Sequence, residues 1–206
     1  MYIVFEGIVG TGKSTQSKLL LDYLKNNPKN KKIVLTREPG GTPIAEEIRR
    51  IVQGSKHDEK MNYECESYLY AAARSQSLRA IVKPVLDKGG IVISDRSFIS
   101  SLAYQGFARK LGLNKVLDIN KIAIEGFSPD IIFYLKMDLE AGLRRTFDKD
   151  GDKFELKSID FFRDIEKGYA EISNLKIFDN IWFNIDASGT KTEVFERIKK
   201  ILHTFY

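Results

Sequence analysis

The sequence predicts an α/β protein, with a parallel β-sheet wrapped by helices on both faces. Two observations carry this expectation. Five short apolar runs are separated by helix-length amphipathic stretches, and strands that alternate with helices form parallel sheets. The first four runs are almost continuously apolar. They lack the in–out alternation of a sheet wet on one face, as expected of strands covered on both sides.

In chain order, the first run is Tyr2-Ile3-Val4-Phe5 and the second is Lys32-Ile33-Val34-Leu35-Thr36. The third, Ile91-Val92-Ile93-Ser94, follows the turn signal Lys88-Gly89-Gly90. The fourth, Ile131-Ile132-Phe133-Tyr134-Leu135, follows Ser128-Pro129-Asp130, and the fifth is Ile181-Trp182-Phe183-Asn184-Ile185. Helical patterns cover roughly 13–26, 42–53, 61–88, 98–125 (as two helices), 138–148, 158–173 and 190–205. Thr42-Pro43 has the chemistry of an N-cap followed by a first helical residue. There is no repeat, low-complexity tract or long linker, so the 206 residues read as a single domain.

Composition removes several classes of function. Charged residues make up 30% and the hydrophobic set 43%, which suits a folded chain and not a disordered one. No apolar run approaches the length of a membrane span, and MYIVFEG lacks the basic start and cleavage site of a secretory signal. Cys65 is the one cysteine, so no internal disulfide is expected and the chain reads as cytoplasmic. One cysteine with His57 and His203 is a poor basis for structural zinc. The net charge of +5 suits an anionic small ligand or weak nucleic-acid contact, with plain solubility as the alternative.

The strongest motif is Gly7-Ile8-Val9-Gly10-Thr11-Gly12-Lys13-Ser14, a G-x-x-x-x-G-K-[ST] sequence between a strand and a helix. Its glycines let the backbone curl so that N–H groups face phosphate oxygens. Lys13 is expected to reach the outer phosphates of a nucleoside triphosphate, Ser14 to face Mg²⁺, and the helix to add its positive end. Asp95-Arg96 closes the third apolar run. A carboxylate there can orient Mg²⁺ and an arginine can meet an anionic substrate; the alternative is a surface ion pair.

Three further segments are more ambiguous. Arg37-Glu38-Pro39-Gly40-Gly41-Thr42-Pro43 makes a tight turn that exposes backbone N–H groups. On the helix after it, Arg49 and Arg50 read equally as a solvated face, with Glu46 and Arg50 as an i,i+4 pair. In Tyr70-Ala71-Ala72-Ala73-Arg74, the tyrosine and arginine share a helix face. A flat ring could stack there while Arg74 donates to its edge, or both could be ordinary core. Arg144-Arg145 runs into a charged loop with Lys149 and Lys153. That loop is a candidate lid, or the arginines simply complement a helix C-terminus.

Taken together, Phe5-Glu6-Gly7 with Gly12-Lys13-Ser14-Thr15, then Thr36-Arg37-Glu38-Pro39-Gly40-Gly41-Thr42, Tyr70-Ala71-Ala72-Ala73-Arg74 and Asp95-Arg96 with Ala103-Tyr104-Gln105-Gly106, resemble the thymidylate kinase family. The resemblance spans most of the chain in order. It implies a three-layer P-loop nucleoside monophosphate kinase fold with a five-stranded parallel sheet. It also implies phosphorylation of dTMP to dTDP with ATP and Mg²⁺ by a homodimer; from the composition and the scattered lysines, no nucleic-acid or membrane partner is expected.

By position, the resemblance implies that residues 7–15 bind ATP (Gly7, Ile8, Val9, Gly10, Thr11, Gly12, Lys13, Ser14 and Thr15). Tyr70 takes the place of the aromatic that stacks on thymine, and Arg74 reaches a base carbonyl. Ser101 and Gln105 approach the base, and Tyr104 packs beside the deoxyribose. Arg37 and Arg96 hold the acceptor phosphate, with Arg49 nearby, and Glu38 and Asp95 lie near phosphates and metal. With no arginine in the P-loop, the resemblance points to a basic lid over about 144–156, with Arg144, Arg145, Lys149 and Lys153 as candidate cations. Val9 stands where the family usually has a carboxylate that reaches the sugar 3′-hydroxyl. The competing readings are a P-loop kinase for another deoxynucleoside or monophosphate, and a nucleotide-dependent switch or nucleic-acid binder. The sequence shows no basic stripe with interleaved aromatics to favour the last.

Overall fold

The computed structural model describes residues 1–27, 32–54, 59–145 and 158–205. Five parallel strands form one sheet in the order β2-β3-β1-β4-β5: β1 Tyr2–Glu6, β2 Ile33–Arg37, β3 Ile91–Asp95, β4 Ile131–Lys136 and β5 Trp182–Asp186. The helices are α1 Lys13–Lys25, α2 Pro43–Gln53, α3 Tyr63–Ser77, α4 Lys83–Leu86, α5 Phe98–Ser101, α6 Leu113–Lys121, α7 Leu139–Arg144, α8 Ile159–Ser173 and α9 Lys191–Leu202. Among the described residues, no helix is long and apolar enough to cross a membrane.

The three layers follow from the period of two along each strand. Tyr2 and Val4 of β1 and Ile132 and Tyr134 of β4 join one apolar cluster, with Leu78, Phe98, Phe162, Ile165 and Tyr169. Ile3 and Phe5, with Ile131, Phe133 and Leu135, join the cluster on the opposite face, against Leu20 and Leu24 of α1 and Val194, Ile198 and Leu202 of α9. Every residue of β1 is therefore buried, which is why its sequence carries no alternation.

Four expectations need correction. The second apolar run packs on both faces, Val34 against one cluster and Ile33 and Leu35 against the other, but less completely than the other three runs. Ile33, Val34 and Leu35 are only half-buried, because β2 is an edge strand with β3 on one side. The helix expected over 61–88 begins at Tyr63 and ends at Leu86, and loosens into a π-helical stretch at Leu78–Val82. The stretch 98–125 does split in two. Its first half, however, is mostly π-helix (Leu102–Ala108), and its second ends at Lys121. Finally, Glu46 pairs with Arg37 at 2.9 Å and Arg50 pairs with Glu47 at 2.5 Å, in place of a Glu46–Arg50 pair.

The connection after β1 leads toward one edge of the sheet and the connection after β3 leads toward the other. A crevice must open where neighbouring strands diverge in this way, at their carboxyl ends. Phe5 and Asp95 are register partners at that point. The residues that follow them, Gly7 to Ser14 and Arg96 to Ser101, rim the crevice.

Candidate functional site

One end of the crevice is made mostly of backbone. Gly7, Gly10 and Gly12 have φ of 139°, 78° and 90°, values that side chains resist, and the loop curls over the start of α1. A Cβ on Gly10 would lie 1.9 Å from the Gly142 carbonyl oxygen, so the loop can pack on α7 only with glycine there. Lys13 folds back, its Nζ donating to the Ile8 carbonyl oxygen at 2.6 Å. It is nearly buried, and its pKa falls from 10.5 to about 7. Burial is the main cause, Arg96 adds to it, and Asp95 and Glu6 oppose it. Ser14 Oγ donates to Asp95 Oδ2 at 2.5 Å, so a hydroxyl and a carboxylate stand side by side at the loop's outer edge. Thr15, also on α1, is exposed.

Arg96 follows with φ of 77°, a left-handed conformation that a non-glycine residue adopts under constraint. Its guanidinium donates to the Gly7 carbonyl oxygen at 3.1 Å, Ser100 Oγ at 2.9 Å and Tyr104 Oη at 3.2 Å. It lies 5.1 Å from the centre of the Tyr104 ring.

The other end is made of side chains from separate elements. A cleft of about 450 Å³ is lined by Val9, Glu38, Tyr70, Arg74, Arg96, Ser101, Tyr104 and Gln105, among others. Arg74 is buried and donates to Glu38 at 2.6 Å, to Asn120, and at 3.2 Å to both the Ser97 carbonyl oxygen and Ser101 Oγ. Glu38 is equally buried. Burial raises its pKa, and the Arg74 charge and hydrogen bond counter that. Gln105 donates through Nε2 to Glu66 at 2.9 Å, and Glu66 is itself paired with Arg109 at 3.1 Å.

The site residues expected from the sequence therefore separate. Val9, Glu38, Tyr70, Arg74, Arg96, Ser101, Tyr104 and Gln105 line one cleft, and Lys13, Ser14 and Asp95 sit at its phosphate-loop end. Arg37 is exposed and held by Glu46, and Arg49 donates to the Pro39 carbonyl oxygen at 3.0 Å. Neither lines the cleft. Arg144 and Arg145 are exposed at the end of α7. Lys149 and Lys153, with the rest of the expected lid from 146 onward, lie outside the described residues.

Sequence reasoning gave no role to Glu6, Glu66, Asn120 or Tyr169. Glu6 carried a signal: an acid ending an otherwise apolar buried strand has to be satisfied by partners from elsewhere. Asn120 and Tyr169 look like ordinary helix residues, and nothing local distinguishes them.

The family model described as thymidylate kinase matches residues 5–198. Similar proteins include the thymidylate kinase of Prochlorococcus marinus (strain NATL2A), 39% identical over 201 residues, spanning 96% of this chain and 93% of that protein. The thymidylate kinase of Finegoldia magna is 40% identical over 203 residues, 98% of this chain and 97% of that one. That of Thermosipho africanus is 39% identical over 202 residues, with the same two coverages of 98% and 97%.

Proposed function

This chain belongs to the thymidylate kinase family, and on that premise we propose that it transfers the γ-phosphoryl group of ATP to dTMP, giving dTDP and ADP in dTTP synthesis. The observation that supports this reading best is the two-ended cleft. It has a cation, Arg96, beside the phosphate loop, and a flat ring, Tyr70, with polar groups at the other end. An acceptor with an anionic head and a flat, polar-edged base suits that lining.

In this reading Arg96 holds the acceptor phosphate, with Arg37 at the end of β2 and Arg49 on α2 assisting from nearby. Tyr70 stacks on the base, and Ser101 and Gln105 meet its edge. Arg74 already makes four hydrogen bonds within the protein, so at most one of its five N–H groups is left for a base carbonyl. Its main task is to hold Glu38, Asn120 and Ser101 in place. Tyr104 packs beside the sugar. The loop from Gly7 to Thr15 cradles the ATP phosphates with its N–H groups.

A phosphate monoester is anionic near neutral pH, so the acceptor needs no strong general base. The chain's task is alignment of two anions and neutralisation of their charge. Lys13 turns from the Ile8 carbonyl to the phosphates and regains its proton there, since a phosphate reverses the balance that lowers its pKa. Arg144 and Arg145, with Lys149 and Lys153, are the cations of a lid over 144–156 in a single kinase domain, and the lid keeps water from the transferred group. Mg²⁺ fits the hard oxygen pair of Ser14 and Asp95, and when bound it would neutralise phosphate charge.

The molecule is read as a cytoplasmic homodimer. Ile44 and Ile51 on α2 are 58% and 46% exposed and lie two turns apart on one face, and Tyr68 on the adjacent α3 is 61% exposed. A second copy covering these side chains would bury them. Sedimentation of Ile51→Glu tests this: a monomer is expected, and an unchanged dimer assigns the contact elsewhere. The activity is tested by ADP release across nucleosides and monophosphates. dTMP should lead the panel, and a deoxynucleoside in its place would overturn the assignment.

A further inference from the structure

Glu6 is fully buried at the end of β1, and its two oxygens receive four hydrogen bonds. Oε1 accepts from the Ser97 amide at 2.8 Å and from Ser97 Oγ at 2.7 Å. Oε2 accepts from Ser100 Oγ at 2.6 Å and from Tyr169 Oη at 2.8 Å. Tyr169 comes from α8, at the far end of the chain from β1. Gly168 lets that helix approach: a Cβ there would lie 2.9 Å from the Phe107 Cβ, so any larger residue would push α8 away. The Tyr169 ring is packed on Tyr134, with centroids 4.8 Å apart, and burial keeps the phenol neutral and able to donate.

The same hydroxyl reaches the strained arginine. Arg96 Nη1 donates to Tyr169 Oη at 3.5 Å and to Ser100 Oγ at 2.9 Å, and Ser100 Oγ and Tyr169 Oη are themselves 3.1 Å apart. A left-handed arginine persists only where its surroundings over-determine it. On the backbone, its amide donates to Phe5 and its carbonyl oxygen accepts from Ser94. On the side chain, the guanidinium meets hydroxyls of Ser100, Tyr104 and Tyr169. Of these three, only Tyr169 comes from outside the segment that follows β3.

We propose that Tyr169 is a positioning residue for the reaction: its hydroxyl, anchored on the Glu6 carboxylate, holds the Arg96 guanidinium where the acceptor phosphate is met. This rests on the reading of Arg96 given under Proposed function. The reacting atoms do not touch Tyr169. It acts through Arg96, and its removal should be felt by the acceptor and not by the donor.

Tyr169→Phe deletes the hydroxyl and keeps the ring packing. The expected result is a three- to thirty-fold rise in KM for dTMP, with KM for ATP within twofold of wild type. Ile172→Ala, in the same helix and fully buried in the apolar core, controls for loss of helix stability. It should lower Tm at least as much as Tyr169→Phe does and leave KM for dTMP unchanged. Arg96→Gln tests the premise and should raise KM for dTMP further. The double variant Tyr169→Phe/Arg96→Gln should be no worse than Arg96→Gln alone, because a residue acting through another adds nothing once that other is gone. If Arg96→Gln raises KM for dTMP and Tyr169→Phe does not, the positioning role is wrong and the acceptor site stands. Additive effects in the double variant, or a KM rise in Ile172→Ala equal to that of Tyr169→Phe, also overturn the role. If Arg96→Gln leaves KM for dTMP unchanged, the assignment of Arg96 falls, and this proposal with it.

Discussion

The two ends of the cleft are built by different means. At the phosphate-loop end, the shape is set by backbone: three glycines with positive φ, a lysine bonded to a carbonyl of its own loop, and a helix that begins at once. At the end lined by Tyr70 and Arg74, no short segment holds the shape. Arg74 from α3 bonds Glu38 from the loop after β2, Asn120 from α6, and Ser97 and Ser101 from around α5. The first kind of site can lose a side chain and keep its form. In the second, function and folding share the same bonds, so they should be lost together.

Lys13→Ala should give the largest effect on activity and the smallest on folding. Turnover is expected to fall by at least about a thousandfold, since preorganised charge on the transferred group is worth several kcal/mol. Stability should hold or rise. Because the folded pKa of Lys13 lies below its unfolded value, protonation works against folding. That penalty is full below pH 7 and fades as pH rises toward 10.5. Thermal melts at pH 6 and pH 9 should show the variant gaining most at pH 6. Near-wild-type turnover in the folded variant would remove Lys13 from the mechanism.

Arg74→Ala tests the other end. It leaves Glu38 buried without its ion partner, which costs about 3–5 kcal/mol of stability. KM for dTMP should rise at least tenfold, and KM for ATP should move little. Urea denaturation alongside initial rates reads both. An Arg74→Ala protein as stable as wild type would show that this end does not depend on the pair, and the contrast between the two ends would fail.

Val9 is where the ends meet: a residue of the glycine-rich loop that also lines the cleft beside Tyr70 and Arg74. Valine offers no acceptor to a sugar hydroxyl. We expect weak discrimination between dTMP and 3′-deoxy-dTMP, and a sharper preference in Val9→Asp by about tenfold to a hundredfold, the worth of a charged hydrogen bond. kcat/KM for both acceptors on both proteins decides this. Strong discrimination in wild type, unchanged by Val9→Asp, would mean another group holds the hydroxyl. The smallest effect concerns protons. At pH 8, ATP binding should draw close to one more proton into wild type than into Lys13→Ala, read by calorimetry in buffers of different ionisation enthalpy. Equal uptake would place the Lys13 pKa well away from about 7 in the free protein.

The site residues expected from contiguous motifs share a property. Lys13, Ser14, Asp95 and Arg96 sit next to a strand end, where glycines, a lysine and a hydroxyl at fixed spacing can serve phosphate chemistry without help from distant segments. Tyr70 and Arg74 were visible as a shared helix face, but their surroundings were not. An aromatic and an arginine four residues apart fit a ligand wall and an ordinary core equally well, and here they line the cleft while Arg74 also anchors a buried network. The Glu46–Arg50 pair was wrong for a related reason. Helical spacing permits it, yet Arg37 and the Gly41 amide, brought by the turn after β2, reach Glu46 instead.

The sequence alone determined the alternation of strands and helices, the doubly covered sheet and the phosphate loop. Each of these depends on periodicity, turn chemistry or a contiguous motif, and such signals act over a few residues. Tertiary structure alone decided which strand lies at the edge, which partners satisfy Glu6, Glu38 and Glu66, and how Tyr169 of α8 meets Arg96 after β3. A buried charge must find partners, and any donor the fold carries within reach will serve. The sequence therefore shows that Glu6 needs partners but not which ones. That depends on how closely α8 packs, which Gly168 permits, and on the order in which five parallel strands assemble.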